Sequence, residues 1–179
     1  VSTEEVEEAL TCISEDFKNA IDTAYINIFK FHQHQQNKIE IIETTEGVQC
    51  WRKSVGIEKV GLYIPGGTAP LFSTVLMLVI PAIIAGCKDI IICTPADKKG
   101  KIHPTILYVA NLCGLHKIYK VGGAQAIAAM SYGTETIPQV YKIFGPGNQY
   151  VTAAKQLVNK DRTAIDMPAG PSEVLVIGD

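Results

Sequence analysis

Apolar residues at the start of the chain recur at intervals of three and four. Val6, Ala9, Leu10 and Ile13 form one such set, the stripe of an amphipathic helix. Ser2 and Glu5 have the spacing of a capping box, which predicts a helix starting just after Ser2. Ser14, followed by Glu15 and Asp16, predicts a second start, and its stripe runs through Phe17, Ile21, Ala24, Ile28 and Phe31. After "HQHQQNK" the helical spacing ends. "IEIIE" and "GVQCWRKSVG" read as short strands.

From Lys59 the rhythm changes again. Continuous apolar runs predict strands at 59–64, 89–93, 117–121, 140–144, 162–166 and 173–177. Helical patterns lie between most of them, at 71–86, 103–114, 123–131 and 148–159. Apolar strands alternating with helices predict an α/β fold: a Rossmann-like parallel sheet with helices on both faces, preceded by an N-terminal helical segment. The most apolar stretch, 75–87, is shorter than the roughly 18 residues of a membrane span and contains Pro81, so it reads as a buried helix.

The turns after the strands change the picture most. They read "YIPGGTAP", "CTPADKKGK", "VGGAQA", "FGPGNQ" and "DMPAGPSE" in chain order. In a parallel sheet all of them emerge at the carboxyl edge, where open α/β folds bind ligands. Glycine lets the backbone approach a ligand, and helix N-termini offer N–H groups to an anion. A nucleotide or another anionic ligand is therefore expected. The P-loop pattern is absent. "KIFGPGNQYVTAAK" resembles a dinucleotide fingerprint, with Asp166 about 20 residues beyond Gly145 as a ribose-binding acid. Tyr150 replaces the third glycine, however, and the unit comes late in the sheet.

Composition adds exclusions. The 179 residues carry a net charge of −2 with no basic stripe, which argues against nucleic acid. Five cysteines stand at 12, 50, 87, 93 and 113, an odd number without a C-x-x-C pair. They read as reduced, mostly buried thiols of a cytoplasmic protein. The start, "VSTEEVEEAL", is acidic and does not read as a signal peptide, and Val1 reads as a processed or cut boundary.

Groups suited to proton transfer are few. His32 and His34 are two apart and point to different sides of a helix, which favours a solvated surface over a metal pair. His103 and His116 flank one predicted helix and read as cap or surface residues. Cys87 and Cys113 are thiol nucleophile candidates, although each ends an apolar run, where packing is the simpler role. Asp166 and Glu173, seven apart, are candidates to face one pocket.

"VGLYIPGGTAPLFSTVLM", "VGGAQAIAAM", "KIFGPGNQYV" and "AIDMPAGPSEVLVIGD" together resemble the histidinol dehydrogenase family, in order and nearly without gaps from about Trp51 onward. The loop "ADKKGKIHP" is longer than the family's and carries no family function. The resemblance implies oxidation of L-histidinol to L-histidine through L-histidinaldehyde in two NAD-dependent steps, at the end of histidine biosynthesis. It implies a homodimer, a zinc ion that positions the substrate, and a fold of the aldehyde-dehydrogenase-like class. By motif, Tyr63, Gln125 and Asn148 are expected to contact NAD, and Ser172 the substrate. Asp166 then belongs to the substrate-side motif. Bottom-up, Tyr63 reads equally as a core aromatic, and Gln125 or Asn148 as helix-start residues.

The same resemblance divides the chain into N-terminal helices and short strands (1–57), a Rossmann-like NAD-facing domain (58–167) and the start of a substrate and zinc domain (168–179). It places the zinc ligands and the catalytic glutamate–histidine pair downstream of Asp179, so no catalytic or metal residue is assigned within the chain. The expectation is a fragment or truncated product that is inactive alone. Two alternatives stand beside it. One is an aldehyde-dehydrogenase-type nucleotide domain with Cys87 or Cys113 as nucleophile; the other is a remnant that binds NAD without catalysis.

Overall fold

The computed structural model of the chain describes residues 1–66, 69–168, 175–176 and 178. Two helices come first, α1 (Thr3–Thr11) and α2 (Glu15–Gln33). The expected capping box closes α1: Ser2 Oγ accepts from Glu5 N–H at 3.3 Å, and Glu5 Oε2 accepts from Ser2 N–H at 3.1 Å. Ser14 caps α2 through the N–H of Phe17. An antiparallel ribbon of β1 (Ile41–Thr45) and β2 (Val48–Trp51) follows.

The remaining elements alternate. They are β3 (Lys59–Tyr63), α3 (Phe72–Ile84), β4 (Asp89–Thr94), α4 (Pro104–Leu112), β5 (Ile118–Lys120), α5 (Gly123–Tyr132), β6 (Lys142–Phe144), α6 (Gln149–Asp161) and β7 (Ala164–Ile165). The last five strands form one parallel sheet in the order β5-β4-β3-β6-β7. The chain builds outward from β3 through β4 to β5, then returns past β3 to build β6 and β7. This is the strand order of a dinucleotide-binding fold, and its crevice lies where the direction reverses, between β3 and β6. The sixth predicted strand, 173–177, falls largely outside the described residues, and Leu175 and Val176 are not in strand.

Alternation along each strand feeds two cores. Leu62 in β3, Ile64 just after it and Ile92 in β4 pack with Val75, Leu76, Val79 and Ile80 of α3 and with Ile106 and Val109 of α4. Tyr63, Ile91, Cys93 and Ile143 point to the other face, against Ala126, Ile127 and Met130 of α5 and Val151 and Val158 of α6. The N-terminal helices add a further layer to the first face: Ala9 and Ile21 are buried in the same core. Pro81 lies inside α3 without ending it. The lost N–H removes one helical hydrogen bond, and burial of Val79 and Ile80 holds the helix together across that gap. No described helix is long and apolar enough to cross a membrane.

Candidate functional site

The loops after β3, β4, β5 and β6 converge at the carboxyl edge of the sheet around a cleft of about 570 Å³. That volume suits a ligand of cofactor size. Tyr63, Thr94, Asp97, Gly123 and Asn148 are among its walls. Helices α5 and α6 both start at this rim, which places their positive dipole ends at the cleft.

Tyr63 and Asn148 line the cleft and each has a local structural partner, whereas Gln125 is not among the lining residues. Tyr63 ends β3 and is buried, and its hydroxyl oxygen accepts the Gly123 N–H at 2.9 Å. That bond fixes the ring in the cleft wall and ties β3 to the start of α5. Gly123 has φ +70°, and a side chain there would meet the amide oxygen of Gln125. Gln125 itself is exposed on the first turn of α5. Asn148 is the N-cap of α6: its Oδ1 accepts from the N–H groups of Tyr150 and Val151, both at 3.1 Å. The cap leaves the side-chain NH₂ of Asn148 without a partner among the described residues. Cleft and cap roles thus coexist at one residue. Ser172 and Glu173 lie outside the described residues.

Thr94 was not anticipated. It ends β4 in the cleft floor, fully buried, and its hydroxyl has no hydrogen-bond partner among the described residues. An unpaired buried hydroxyl is costly, and a ligand group is one way to pair it. The available signal was a threonine closing an apolar strand immediately before a proline.

The turn that follows β6 is tied from both sides. Gly145 N–H donates to Asp166 Oδ2 at 2.8 Å, and Lys155 Nζ donates to the Gly145 carbonyl at 2.9 Å. Lys155 also pairs with Asp166 Oδ1. Gly145 has φ +127°, and any Cβ there would collide with the Tyr63 carbonyl oxygen. Asp166, expected first on ribose and then on the substrate side, is therefore engaged by the turn itself. Lys155 was missed. Its signal was present: it stands four residues after Val151 and three before Val158, on the buried stripe of α6.

The family model of histidinol dehydrogenase matches residues 1–179. A histidinol dehydrogenase of Bacteroides thetaiotaomicron is 65% identical over 179 residues, which are all of this chain and 42% of that protein. One from Pasteurella multocida is 57% identical over the same span, 41% of its length. The crystal structure of histidinol dehydrogenase from Elizabethkingia anophelis superposes with a TM-score of 0.94 at 60% identity, covering 96% of this chain and 40% of that one. The chain belongs to the histidinol dehydrogenase family. It spans about two fifths of the length of these relatives.

Within this family member the cysteine-nucleophile alternative fails on position and on chemistry. Cys87 and Cys113 line a hollow with Asp89, His116 and Lys117, at the amino ends of β4 and β5. That is the edge opposite the cleft. Burial raises the Cys87 thiol and pushes Cys113 up to about 12, so both remain protonated thiols near neutral pH. Cys93, in the strand interior, is pushed to about 12 by the same cause. His32 and His34 hydrogen-bond to Gln35 and to the Lys30 carbonyl on their own helix end. His103 caps α4, its Nδ1 accepting from Thr105 N–H at 3.3 Å. The described residues contain no group of three or more His, Cys, Asp or Glu side chains placed to hold a metal ion.

Proposed function

We propose that the chain forms the NAD-binding part of an enzyme that oxidises L-histidinol to L-histidine through L-histidinaldehyde, at the end of histidine biosynthesis. Family membership supports the reaction class. The cofactor reading rests on one observation: a cleft at the switch point of the sheet, with the starts of α5 and α6 on its rim. NAD would supply the hydride acceptor, one molecule for each of the two oxidation steps. The chain's own residues hold and orient it. Tyr63 forms a rigid wall, Asn148 offers its free NH₂ to a cofactor oxygen, and Gln125 reaches from the first turn of α5.

The described residues do not fit a zinc site. In this reading the zinc ligands and the acid–base pair lie elsewhere in the enzyme, and Ser172 contacts the substrate. A homodimer is part of the same proposal. Ile41, Ile42, Val48 and Trp51 stay exposed on the β1–β2 ribbon, an apolar surface for a second copy to cover. The five cysteines are free thiols, which fits a reducing, cytoplasmic compartment.

Asn148→Asp tests the cofactor reading with the helix cap retained. Aspartate caps as well as asparagine but has no NH₂ and adds a negative charge. NAD affinity of the chain should fall about tenfold or more, the equivalent of one lost hydrogen bond. Unchanged affinity, measured by calorimetric titration, refutes the role of Asn148.

A further inference from the structure

We propose that Lys155 is a positioning residue of the cleft: through Asp166 it locks the turn from Gly145 to Asn148 to the chain leaving β7, so that binding at Asn148 is felt beyond β7. The proposal rests on the NAD reading above and adds to it a residue that touches no cofactor. Neither Lys155 nor Asp166 lines the cleft. Both line a separate hollow of about 280 Å³, with Gly145, Gly147, Thr152 and Met167. A ligand in the cleft meets Asn148 and reaches the lysine only through the turn.

Helix geometry puts the lysine there. Side chains of an α-helix lean toward its N-terminus. Lys155 stands in the second turn of α6, and its stem runs back to the turn ahead of the Asn148 cap. The residue is only 6% exposed. Its ammonium donates to the Gly145 carbonyl, while the Asp166 carboxylate accepts from the Gly145 N–H. With the Lys155–Asp166 ion pair, these bonds close a ring through both backbone groups of one residue. Asp166 is fixed in turn by β6, since its own N–H donates to the Ile143 carbonyl at 3.1 Å.

The ring leaves the turn little freedom. An exposed ion pair exchanges partners with water at small cost. A buried ammonium has no such exchange, and parting it from Asp166 strands a charge. Gly145 also packs against the Tyr63 carbonyl, and the Tyr63 hydroxyl is bound to the Gly123 N–H. Asn148 is tied to α6 by its cap bonds and to Gly145 by the short link Pro146-Gly147. Pro146 stiffens that link, because its ring fixes a backbone torsion. Displacing Asn148 thus displaces Gly145, and with it the Asp166 carboxylate just after β7. Packed, hydrogen-bonded networks of this kind carry coupling between separated groups.

The test is NAD titration of the isotope-labelled 179-residue chain followed by amide chemical shifts. The wild type is compared with the double variant Lys155→Met, Asp166→Leu, which replaces the ion pair by apolar groups and leaves no stranded charge. In the wild type the Asp166 and Met167 signals should shift along the same saturation curve as Asn148. In the double variant the NAD affinity read at Asn148 should fall about fivefold or more, the scale of coupling between linked sites. The Met167 response should vanish there while Thr94 and Gly123 still respond. A pair that only stabilises the fold would leave affinity and pattern as in the wild type. If Asn148 responds in the wild type but Asp166 and Met167 do not, or if the double variant keeps wild-type affinity, the assignment of Lys155 is wrong and the cofactor reading survives. If no cleft signal responds to NAD in the wild type, the cofactor reading fails and this role falls with it.

Discussion

Both backbone hydrogen-bonding groups of Gly145 are taken, one by Asp166 and one by Lys155. This makes a single turn accountable to residues 10 and 21 positions away. Gly145→Ala should lower stability by at least about 2 kcal/mol in urea unfolding, because the new methyl meets the Tyr63 carbonyl and the backbone holds a conformation that L residues avoid. Lys155→Met should cost about 2–3 kcal/mol by leaving the Asp166 carboxylate half-buried without its cation, and Lys155→Met with Asp166→Leu should recover part of that loss. The buried thiols predict a pH effect. Cys93 and Cys113 are pushed from 9.0 to about 12 by burial. Above pH 9 the unfolded chain releases protons that the folded chain keeps. Stability is therefore full below about pH 9 and falls as pH rises toward 12, by roughly 1.4 kcal/mol per pH unit for each thiol. Cys113→Ala should remove one such slope from the unfolding free energy measured in reducing buffer. A loss equally steep in the variant would show that Cys113 does not titrate this way. At this scale the sequence revealed caps but not partners. Asn148 and Ser2 are legible because a cap is a local event. Lys155 and Asp166 are not, because their pairing depends on α6 lying beside β7.

Elements were the most legible scale. Runs such as "DIIIC" and "EVEEAL" announce a strand and a helix through period alone, and β3, β4 and the helices α1 to α6 appear within a few residues of their predicted bounds. The departures have tertiary causes. The strand expected from Val140 begins at Lys142, because Val140 N–H donates to the Met130 carbonyl at the end of α5. The packing of α1 could not be read from its own stripe. Its apolar side meets α4, and its acidic side meets Lys101 and Lys120, partners about a hundred positions away in sequence. Ser2→Ala should destabilise α1 by about 1 kcal/mol, seen as faster amide exchange at Glu5 and its neighbours with little change elsewhere. Loss of protection across the whole sheet would instead mean that α1 folds with the core as one unit.

At the scale of the molecule, strand order decides what the motifs mean. A parallel sheet was legible in the β–α rhythm, and with it the glycine turns on one edge. The order β5-β4-β3-β6-β7 was not, since it depends on which strand β6 chooses as its neighbour. That choice packs the turn at Gly145 against the Tyr63 carbonyl and brings Asn148 to the crevice that Tyr63 lines. Cys87 and Cys113 precede β4 and β5, so they lie at the amino edge of the same parallel sheet, away from that crevice. Whether this crevice holds NAD is tested most directly by adding NAD to the isotope-labelled chain and mapping amide chemical-shift changes. Saturable changes are expected at Thr94, Asp97, Gly123 and Asn148. No change at millimolar NAD, or changes confined to Cys87, Cys113 and His116, would contradict an NAD site in the crevice.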